Sequence, residues 1–277
     1  GAFDLADAVT VDTNGGETFN NGIFHINTHP TIFNKTQLIP DGAIANRVKS
    51  IFTKDGKNFW LTLAPSGIAL YNTDTHSVLI NNEIPAFASV PYSTLNTHMS
   101  SVVGAADGSI WFANNSYGVV VLKDGKIKIY DSQNCKFVRD NFVKALLRAR
   151  SGIMFVGERH HLNWITPQGK TFGLDDDLDV VNISEDRSGN IWVTTENKGI
   201  LRLSGNCNSP RSLRKDFYNQ EHRNYAVNDA IYVYEDSKHR IWATSNSGGL
   251  FKLDTSSNRF ERGAAFVAPI LDFVVLR

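Results

Sequence analysis

One pattern recurs through the middle of the chain: a tryptophan followed seven residues later by a glycine. The four pairs are Trp60–Gly67, Trp111–Gly118, Trp192–Gly199 and Trp242–Gly249. A fifth, degenerate copy has Phe155 and Leu162 at the same two positions. Each copy follows a short apolar run and a polar turn, and successive copies lie roughly 40 to 50 residues apart, the period of four-stranded propeller blades joined by variable connections.

Each copy is predicted to consist of short β-strands. In the stretch "VVNISEDRSGNIWVTTENKGILRLS", three runs rich in β-branched and aromatic residues (VVNIS, IWVTT and ILRLS) are separated by turns that contain glycine. Fourth strands are predicted at 126–131 and 258–263, and long helical periodicity is absent. The sequence therefore predicts an all-β protein, a β-propeller of four-stranded antiparallel blades.

The two ends of the chain predict one further, composite blade. Residues 9–27 resemble second and third strands, and residues 268–277 resemble an innermost strand. Pairing the terminal segments, about 1–35 and 264–277, would close the ring and remove exposed sheet edges. We expect a single propeller domain over residues 1–277 with six blades. Seven is the alternative, if a long connection such as 72–96 or 204–226 contains a divergent blade.

The repeated residues are expected to be architectural. The tryptophan is large enough to fill the wedge between two twisted sheets, and its indole N–H needs a polar partner. The glycine permits the positive φ of a tight turn, and the aspartate of the first turn accepts hydrogen bonds from nearby backbone amides.

Charge and motifs argue against several classes of protein. Lys+Arg and Asp+Glu both number 28, so the neutral chain is not expected to bind nucleic acid. No apolar run approaches about 20 residues, so we expect no membrane contact by this chain. Cys135 and Cys207 lack metal-site spacing, and we expect two unpaired thiols. Phosphate-binding and nucleophile motifs are absent, so no cofactor, metal or catalytic residue is assigned.

Three further segments receive structural interpretations. The adjacent pair His160–His161 has diverging side chains and lacks the spacing of a zinc site. The acidic run 174–179 lacks the alternating pattern of a calcium loop and is expected to be a solvated connection. The basic cluster 209–215 is expected to be an exposed loop.

A ligand site is expected where the second turn of each blade and the connection into it emerge on one face. Amides, one Arg, one Glu, Tyr and His there form a neutral hydrogen-bonding rim that suits sugars, although Asn is also a common turn residue. The candidates in the second turns are Asn115, Tyr117, Arg159, His160, Glu196 and Asn246. The candidates at the start of the first strands are Asn46, His98, Asn141 and Asn228.

The consensus V-x-S-I-x-x-D-x-x-G-x-I-W-V-x-T-x-x-x-G-I-x-R-L resembles the two-component regulator propeller repeat, over residues 43 to 254. The resemblance implies an extracytoplasmic sensor of a membrane-anchored regulator, such as the hybrid two-component systems of gut Bacteroidetes, without chemistry of its own. It implies a periplasmic or extracellular location and an oligosaccharide or similar polar ligand. Further propeller and immunoglobulin-like domains would be partners within a parent chain, and a homodimer of the parent is left open. Family propellers usually have seven blades, so we read this chain, which begins at Gly1, as a piece of a longer protein.

Two other functions remain as alternatives. Streptogramin-inactivating lyases are propellers with similar repeats, and such an enzyme needs a base and a divalent metal; His98 is the histidine nearest the predicted channel mouth. A protein-interaction scaffold would show a large exposed apolar patch. The sequence does not identify the ligand, the oligomeric state or the output domain.

Overall fold

The structure, a computed structural model, describes residues 8–10, 22–26, 33–37, 47–64, 67–219, 229–246, 249–262 and 273–275. These residues contain five four-stranded antiparallel sheets, which we call blades 1 to 5 in chain order. In every blade the strands follow one another along the chain as a meander. None of the helices in the described ranges is long and apolar enough to span a membrane.

The chain divides into two compact units. The first, residues 1–130 with 271–277, contains blades 1 and 2. The strands of blade 1 are Arg47–Thr53, Asn58–Ala64, Gly67–Asn72 and Val78–Ile80, and those of blade 2 are Met99–Gly104, Ile110–Asn114, Gly118–Lys123 and Lys126–Tyr130. Between them lie two 3-10 turns, Asn81–Glu83 and Pro85–Phe87, and the short α-helix Tyr92–Leu95. The connection 72–96 therefore contains no additional blade.

The second unit, residues 131–270, contains the other three blades. The strands of blade 3 are Val143–Arg148, Met154–Glu158, Leu162–Ile165 and Thr171–Gly173. Those of blade 4 are Val180–Glu185, Ile191–Thr195, Gly199–Ser204 and Arg214–Tyr218, with a 3-10 turn at Pro210–Ser212. Those of blade 5 are Ala230–Glu235, Ile241–Ser245, Leu250–Asp254 and Arg259–Arg262. The three strands read from the quoted stretch, and both predicted fourth strands, are present.

Within each unit, the first strands of consecutive blades pack against one another. Large side chains fill the space between the sheets, as the wedge argument requires. Trp60 of blade 1 makes an edge contact with Phe112 of blade 2, with ring centroids 5.7 Å apart. Trp192 of blade 4 is 2% exposed and packs in one cluster with Phe251 and Phe260 of blade 5.

The degenerate copy keeps its core with a different set of side chains. Phe155 in the second strand and Trp164 in the third are both fully buried, with ring centroids 5.6 Å apart. The Trp164 indole donates to the Cys207 carbonyl at 2.9 Å. The bulk that one tryptophan supplies elsewhere is divided here between two residues, which is why the repeat pattern fails at this blade.

The repeated glycine is required at the end of the second turn for two reasons. Gly67, Gly118, Gly199 and Gly249 all have positive φ, 70° at Gly199 and 96° at Gly67. In addition, a Cβ added at Gly199 would stand well inside van der Waals contact of the Tyr218 carbonyl oxygen. Gly67 is blocked in the same way by the Leu95 carbonyl oxygen.

A β-bulge recurs near the start of the first strand of every blade. The register against the second strand shifts by one residue in all five sheets. The extra residues are Lys49, Ser100, Lys144, Val181 and Ile231. A bulge redirects a side chain locally, and the sequence pattern gives no sign of it.

The terminal strands form two small antiparallel sheets. Ala8–Thr10 pairs with Phe273–Val275, and Gly22–Ile26 pairs with Phe33–Gln37. The first and last segments thus pair with each other in one sheet, whereas Gly22–Ile26 and Phe33–Gln37 form a second, separate two-stranded sheet. The sixth blade and the single domain stay predictions.

Candidate functional site

In blades 2 to 5, one backbone hydrogen bond ties the second turn to the residue that precedes or opens the first strand. The N–H groups of Asn115, Arg159, Glu196 and Asn246 donate to the carbonyls of His98, Phe142, Asp179 and Asp229 respectively, at 3.1, 3.1, 2.8 and 3.0 Å. The two candidate segments therefore lie side by side on the same end of each blade. We call this end the turn face. Of the other candidates, Asn46 and Asn228 lie outside the described residues.

A buried polar side chain at the end of the second strand secures the turn face in the same four blades. It stands three residues after the repeated aromatic position and is fully buried each time. The four anchor residues are Asn114, Glu158, Thr195 and Ser245. Blade 1 has the apolar Leu63 at this position. The consensus threonine of the I-W-V-x-T motif marks this position, and its role becomes visible only in the structure.

Thr195 and Ser245 show the two ways in which an anchor works. The Thr195 hydroxyl accepts the Lys198 N–H at 2.8 Å and donates to the Gly199 carbonyl at 2.9 Å, so it secures its own turn. The Ser245 hydroxyl donates to the Asp229 carboxylate and so secures the preceding segment.

In the first unit, Asn114 makes both kinds of contact. Its Oδ1 accepts the N–H groups of Ser116 and Tyr117 at 2.8 and 2.9 Å. Its Nδ2 donates to the Thr94 carbonyl at 3.0 Å and to the Thr97 hydroxyl at 2.8 Å. One buried amide therefore joins the second turn of blade 2 to the helix-containing connection.

The segments that Asn114 joins carry exposed aromatic side chains. Tyr117 in the turn is 37% exposed, and Tyr92 in the short helix is 62% exposed. The His98 side chain is exposed on the same connection. The neighbouring candidate Asn115 has its Oδ1 buried, without a hydrogen-bond partner among the described residues. Glu83 is the single Asp, Glu, Lys or Arg in residues 81–98 and 115–117, so this patch is aromatic and nearly uncharged.

In the second unit, the turn face is built from ion pairs. Lys144, the bulge residue of blade 3, donates from Nζ to Asp179 Oδ1 at 2.8 Å and to Glu196 Oε1 at 2.7 Å. Its side chain is 15% exposed. Because the two carboxylates belong to blade 4, this lysine crosslinks adjacent blades. Nothing in the sequence pattern marks Lys144, because it is the extra residue of a β-bulge.

The candidates Arg159 and His160 also have internal partners. Arg159 Nε lies 3.7 Å from Asp140 Oδ2, and its guanidinium stands 4.9 Å from the centroid of the Phe142 ring. His160 Nδ1 lies 2.9 Å from Asp177 Oδ1.

Of the remaining candidates in this unit, one has a structural role and the other is exposed to solvent. Asn141 accepts the Ser132 N–H at 2.8 Å through its side chain, which caps the connection into blade 3. Asn246 is exposed at the second turn of blade 5.

The four acids of the run 174–179 have four different basic side chains as partners. Asp175 lies 4.0 Å from Arg139, Asp176 lies 2.6 Å from Lys215, and the other two acids pair with His160 and Lys144. Carboxylates with four different partners do not converge on a common point. In the described ranges, no group of three or more His, Cys, Asp or Glu side chains could hold a metal ion.

Glu158, the anchor of blade 3, is the most unusual ionisable group on this face. Its side chain is fully buried, and its two oxygens accept the N–H groups of Arg139 and Asp140 at 2.9 and 2.8 Å. Burial raises the pKa of Glu158 to about 7, although both hydrogen bonds act to lower it. Burial also lowers the pKa of the neighbouring His161.

Residues 173–197, which run from the fourth strand of blade 3 to the second turn of blade 4, match the family model described as two component regulator propeller. The match covers this one repeat. The matched segment contains Asp186, Trp192, the anchor Thr195 and the candidate Glu196. A sequence comparison with curated proteins found no match.

Solved structures similar to this chain come from several bacteria. The extracellular domain of a putative hybrid two component system from B. thetaiotaomicron is 14% identical with a TM-score of 0.66, covering 96% of this chain and 36% of that one. Virginiamycin B lyase from Staphylococcus aureus is 15% identical with a TM-score of 0.60, covering 81% and 72%. PorZ, a surface component of the type-IX secretion system of Porphyromonas gingivalis, is 17% identical with a TM-score of 0.58, covering 91% and 39%.

At these identities the similarity defines the fold. The chain is an all-β propeller with four-stranded antiparallel blades, as the sequence predicts. It spans about a third of the length of the similar hybrid two component system domain.

Proposed function

We propose that this propeller is the ligand-sensing, extracytoplasmic module of a membrane-anchored signalling protein and has no catalytic role of its own. Two observations support the proposal. Residues 173–197 match the regulator propeller family, and the fold is similar to the extracellular domain of a putative hybrid two component system. Further propeller and immunoglobulin-like domains, and the signalling output, would lie elsewhere in the parent chain.

The proposed ligand is an oligosaccharide that binds at the turn face of blade 2. The observation that carries this proposal is the pair of contacts made by Asn114, which joins the segment bearing Tyr117 to the segment bearing Tyr92 and His98. Exposed tyrosines offer flat apolar surfaces with a polar rim, and hydroxyl and imidazole groups pair with sugar hydroxyls. The near absence of charge favours a neutral sugar.

The test is a thermal-shift screen of the chain against a panel of neutral glycans, followed by two matched variants. A ligand present at a hundred times its Kd stabilises the folded state by about 2.7 kcal/mol. Tyr117→Ala should remove this shift, whereas Tyr234→Ala should retain it. Tyr234 is the control because it is 40% exposed, close to the 37% of Tyr117, and lies in the first strand of blade 5, away from the turn face.

Arg159→Ala tests whether the ligand binds at the charged turn face of blade 3 instead of the nearly uncharged turn face of blade 2. Arg159 was predicted to bind ligand together with Tyr117, but in the structure it lies over Phe142 and near Asp140. A ligand shift that is lost in Arg159→Ala and kept in Tyr117→Ala would move the site to blade 3 and contradict the proposal. Loss in both variants would contradict a site confined to blade 2.

A second candidate function is that of a lyase. It is favoured by the similarity of fold to virginiamycin B lyase and by the exposure of His98 on the turn face. Incubation of the chain with virginiamycin B and divalent cations, followed by mass spectrometry, tests it directly. Cleavage that disappears in His98→Ala would establish the enzyme and contradict the sensor proposal.

A further inference from the structure

Among the anchors of the turn face, one differs in kind from the rest. Asn114, Thr195 and Ser245 are neutral at every physiological pH, and Leu63 of blade 1 is apolar. Glu158 alone in this set of five can exchange a proton. It occurs in blade 3, the blade that also departs from the repeat at Phe155 and Leu162. Blade 3 therefore has an ionisable group at a position where the other four blades have an uncharged side chain.

The contacts of Glu158 connect its charge to the shape of the turn face. Both carboxylate oxygens hold the backbone of residues 139–140, nineteen and eighteen positions earlier in the chain. This segment continues into Asn141 and Phe142, and Phe142 in turn accepts the N–H of Arg159 and lies under its guanidinium. Two hydrogen bonds therefore connect Glu158 to the segment that carries the candidate Asn141 and contacts Arg159.

We infer that Glu158 is a proton-operated anchor: its carboxylate holds the segment 139–142 through the N–H groups of Arg139 and Asp140, and protonation loosens that hold. Hydrogen bonds to an ionised acceptor are about twice as strong as those to a neutral one. When the carboxyl takes up a proton, one oxygen becomes a hydroxyl, which accepts weakly and itself needs an acceptor. The protonated form removes the buried charge but weakens the hold on the segment.

The surroundings of Glu158 bring the pKa of its carboxyl close to neutral pH. Burial is the largest influence and raises its pKa to about 7, and the nearby Asp140 carboxylate acts in the same direction. The neutral amide of Asn163 faces it from the third strand and lowers the pKa. The Cys135 thiol also lies within electrostatic range, since its own pKa is raised mainly by burial and in part by Glu158. The inference concerns blade 3 by itself and does not depend on an oligosaccharide as ligand.

The test is ¹⁵N NMR of the whole chain between pH 5.5 and pH 8.5. The amide proton shifts of Arg139 and Asp140 should titrate with a shared midpoint near pH 7, with lower protection from hydrogen exchange on the acid side after correction for the intrinsic rate. Glu158→Gln should abolish the titration. His161→Asn and His160→Asn should leave it in place, because neither imidazole is bonded to these amides.

Two results would overturn the inference. One is a flat response of both amides across the range, and the other is a titration that survives in Glu158→Gln but disappears in a histidine variant. If Glu158→Gln does not fold, Asp140→Asn provides the second arm. It keeps the anchor and removes a charge that raises the pKa of Glu158, so the midpoint should move to lower pH; an unchanged midpoint counts against the assignment.

Discussion

The indole N–H of Trp192 donates to Asp186 Oδ2 at 2.8 Å, across the first turn of blade 4. The same pair, six residues apart, recurs in blade 5, where Trp242 donates to Asp236 Oδ2 at 2.9 Å. In both blades the acid also accepts backbone N–H groups of its own turn. The repeated aspartate thus shapes the first turn and satisfies the indole N–H of the tryptophan, which in blade 4 packs against side chains of blade 5.

Replacing Asp186 should therefore destabilise the propeller more than its size suggests. Asp186→Ala leaves the buried Trp192 N–H without its acceptor, at a cost of about 1–3 kcal/mol in the free energy of unfolding. Urea denaturation followed by tryptophan fluorescence measures the loss. Asp175→Ala is the control, because Asp175 is fully exposed and surface changes of this kind usually stay within about 0.5 kcal/mol. Equal losses in the two variants would contradict the role given to Asp186.

Alanine substitutions at two glycines with similar φ angles distinguish the cost of backbone strain from the cost of a steric clash. Gly189 and Gly199 have φ of 82° and 70°, but a Cβ at Gly189 meets nothing within 4 Å, while one at Gly199 clashes with the Tyr218 carbonyl oxygen. Gly189→Ala should cost about 1–2 kcal/mol through backbone strain alone. Gly199→Ala should cost clearly more, measured as the difference in urea midpoints. If the two losses are the same, close approach to the fourth strand does not explain the repeated glycine.

Lys144 should contribute to stability in a way that an exposed lysine does not. Lys144→Met leaves Asp179 and Glu196 facing each other without their shared cation, so we expect a loss of about 1–2 kcal/mol, because one acid and the lysine are largely shielded from solvent. Lys57→Met is the matched control. Lys57 pairs with Asp74 at a similar distance of 2.7 Å, but both side chains are more than half exposed, and such pairs contribute little. If the Lys144→Met variant is as stable as the Lys57→Met variant, Lys144 does not stabilise the protein by crosslinking adjacent blades.

Glu158 should give the stability of the protein a definite pH dependence. Its pKa is about 7 in the folded protein against an ordinary value of 4.5, so the folded state binds this proton more tightly than the unfolded state. The stabilisation from that proton is present below about pH 4.5 and is lost as the pH rises through about 7. The free energy of unfolding of Glu158→Gln, relative to the unmodified chain, should therefore increase across this window by up to roughly 3 kcal/mol.

Chemical denaturation at intervals between pH 4.5 and pH 8 measures this difference. Glu83→Gln, at an exposed position, controls for the loss of one carboxylate. A constant offset between Glu158→Gln and the unmodified chain at all pH values would show that the buried carboxyl does not titrate there.

The periodic residues carried most of the fold prediction because they recur at constant positions along the second and third strands. A tryptophan and a glycine seven residues after it stand at the two ends of one hairpin, so their spacing is visible in the linear sequence. The same holds for the strands of blade 4 and for the adjacency of second turn and entering segment, which follow from meander connectivity. Blade 3 was recognised as a degenerate copy, but its second aromatic, Trp164, was missed because it stands in another strand.

The candidate site was predicted less completely. Asn115, Tyr117, Arg159, His160, Glu196 and Asn246 were placed in second turns from register alone, and the structure has them there. Tyr92 was not predicted as a site residue, because nothing in its own segment of the sequence marks it. The contacts of Asn114 connect its segment to that of Tyr117. Lys144 was not predicted either, because the alternation of residues along a strand does not reveal the β-bulge in which it lies. In the structure its side chain contacts Asp179 and Glu196.

The sequence by itself determined the unit of construction: short antiparallel strands, a wedge indole, a turn that demands glycine, and the order in which these recur. Only the tertiary structure decided which side chains share an environment across blades. Glu158 illustrates the reason. Its chemistry depends on burial and on two amides nineteen and eighteen residues away, and the loss of water around a carboxylate is a property of packing, which spacing along a chain does not record.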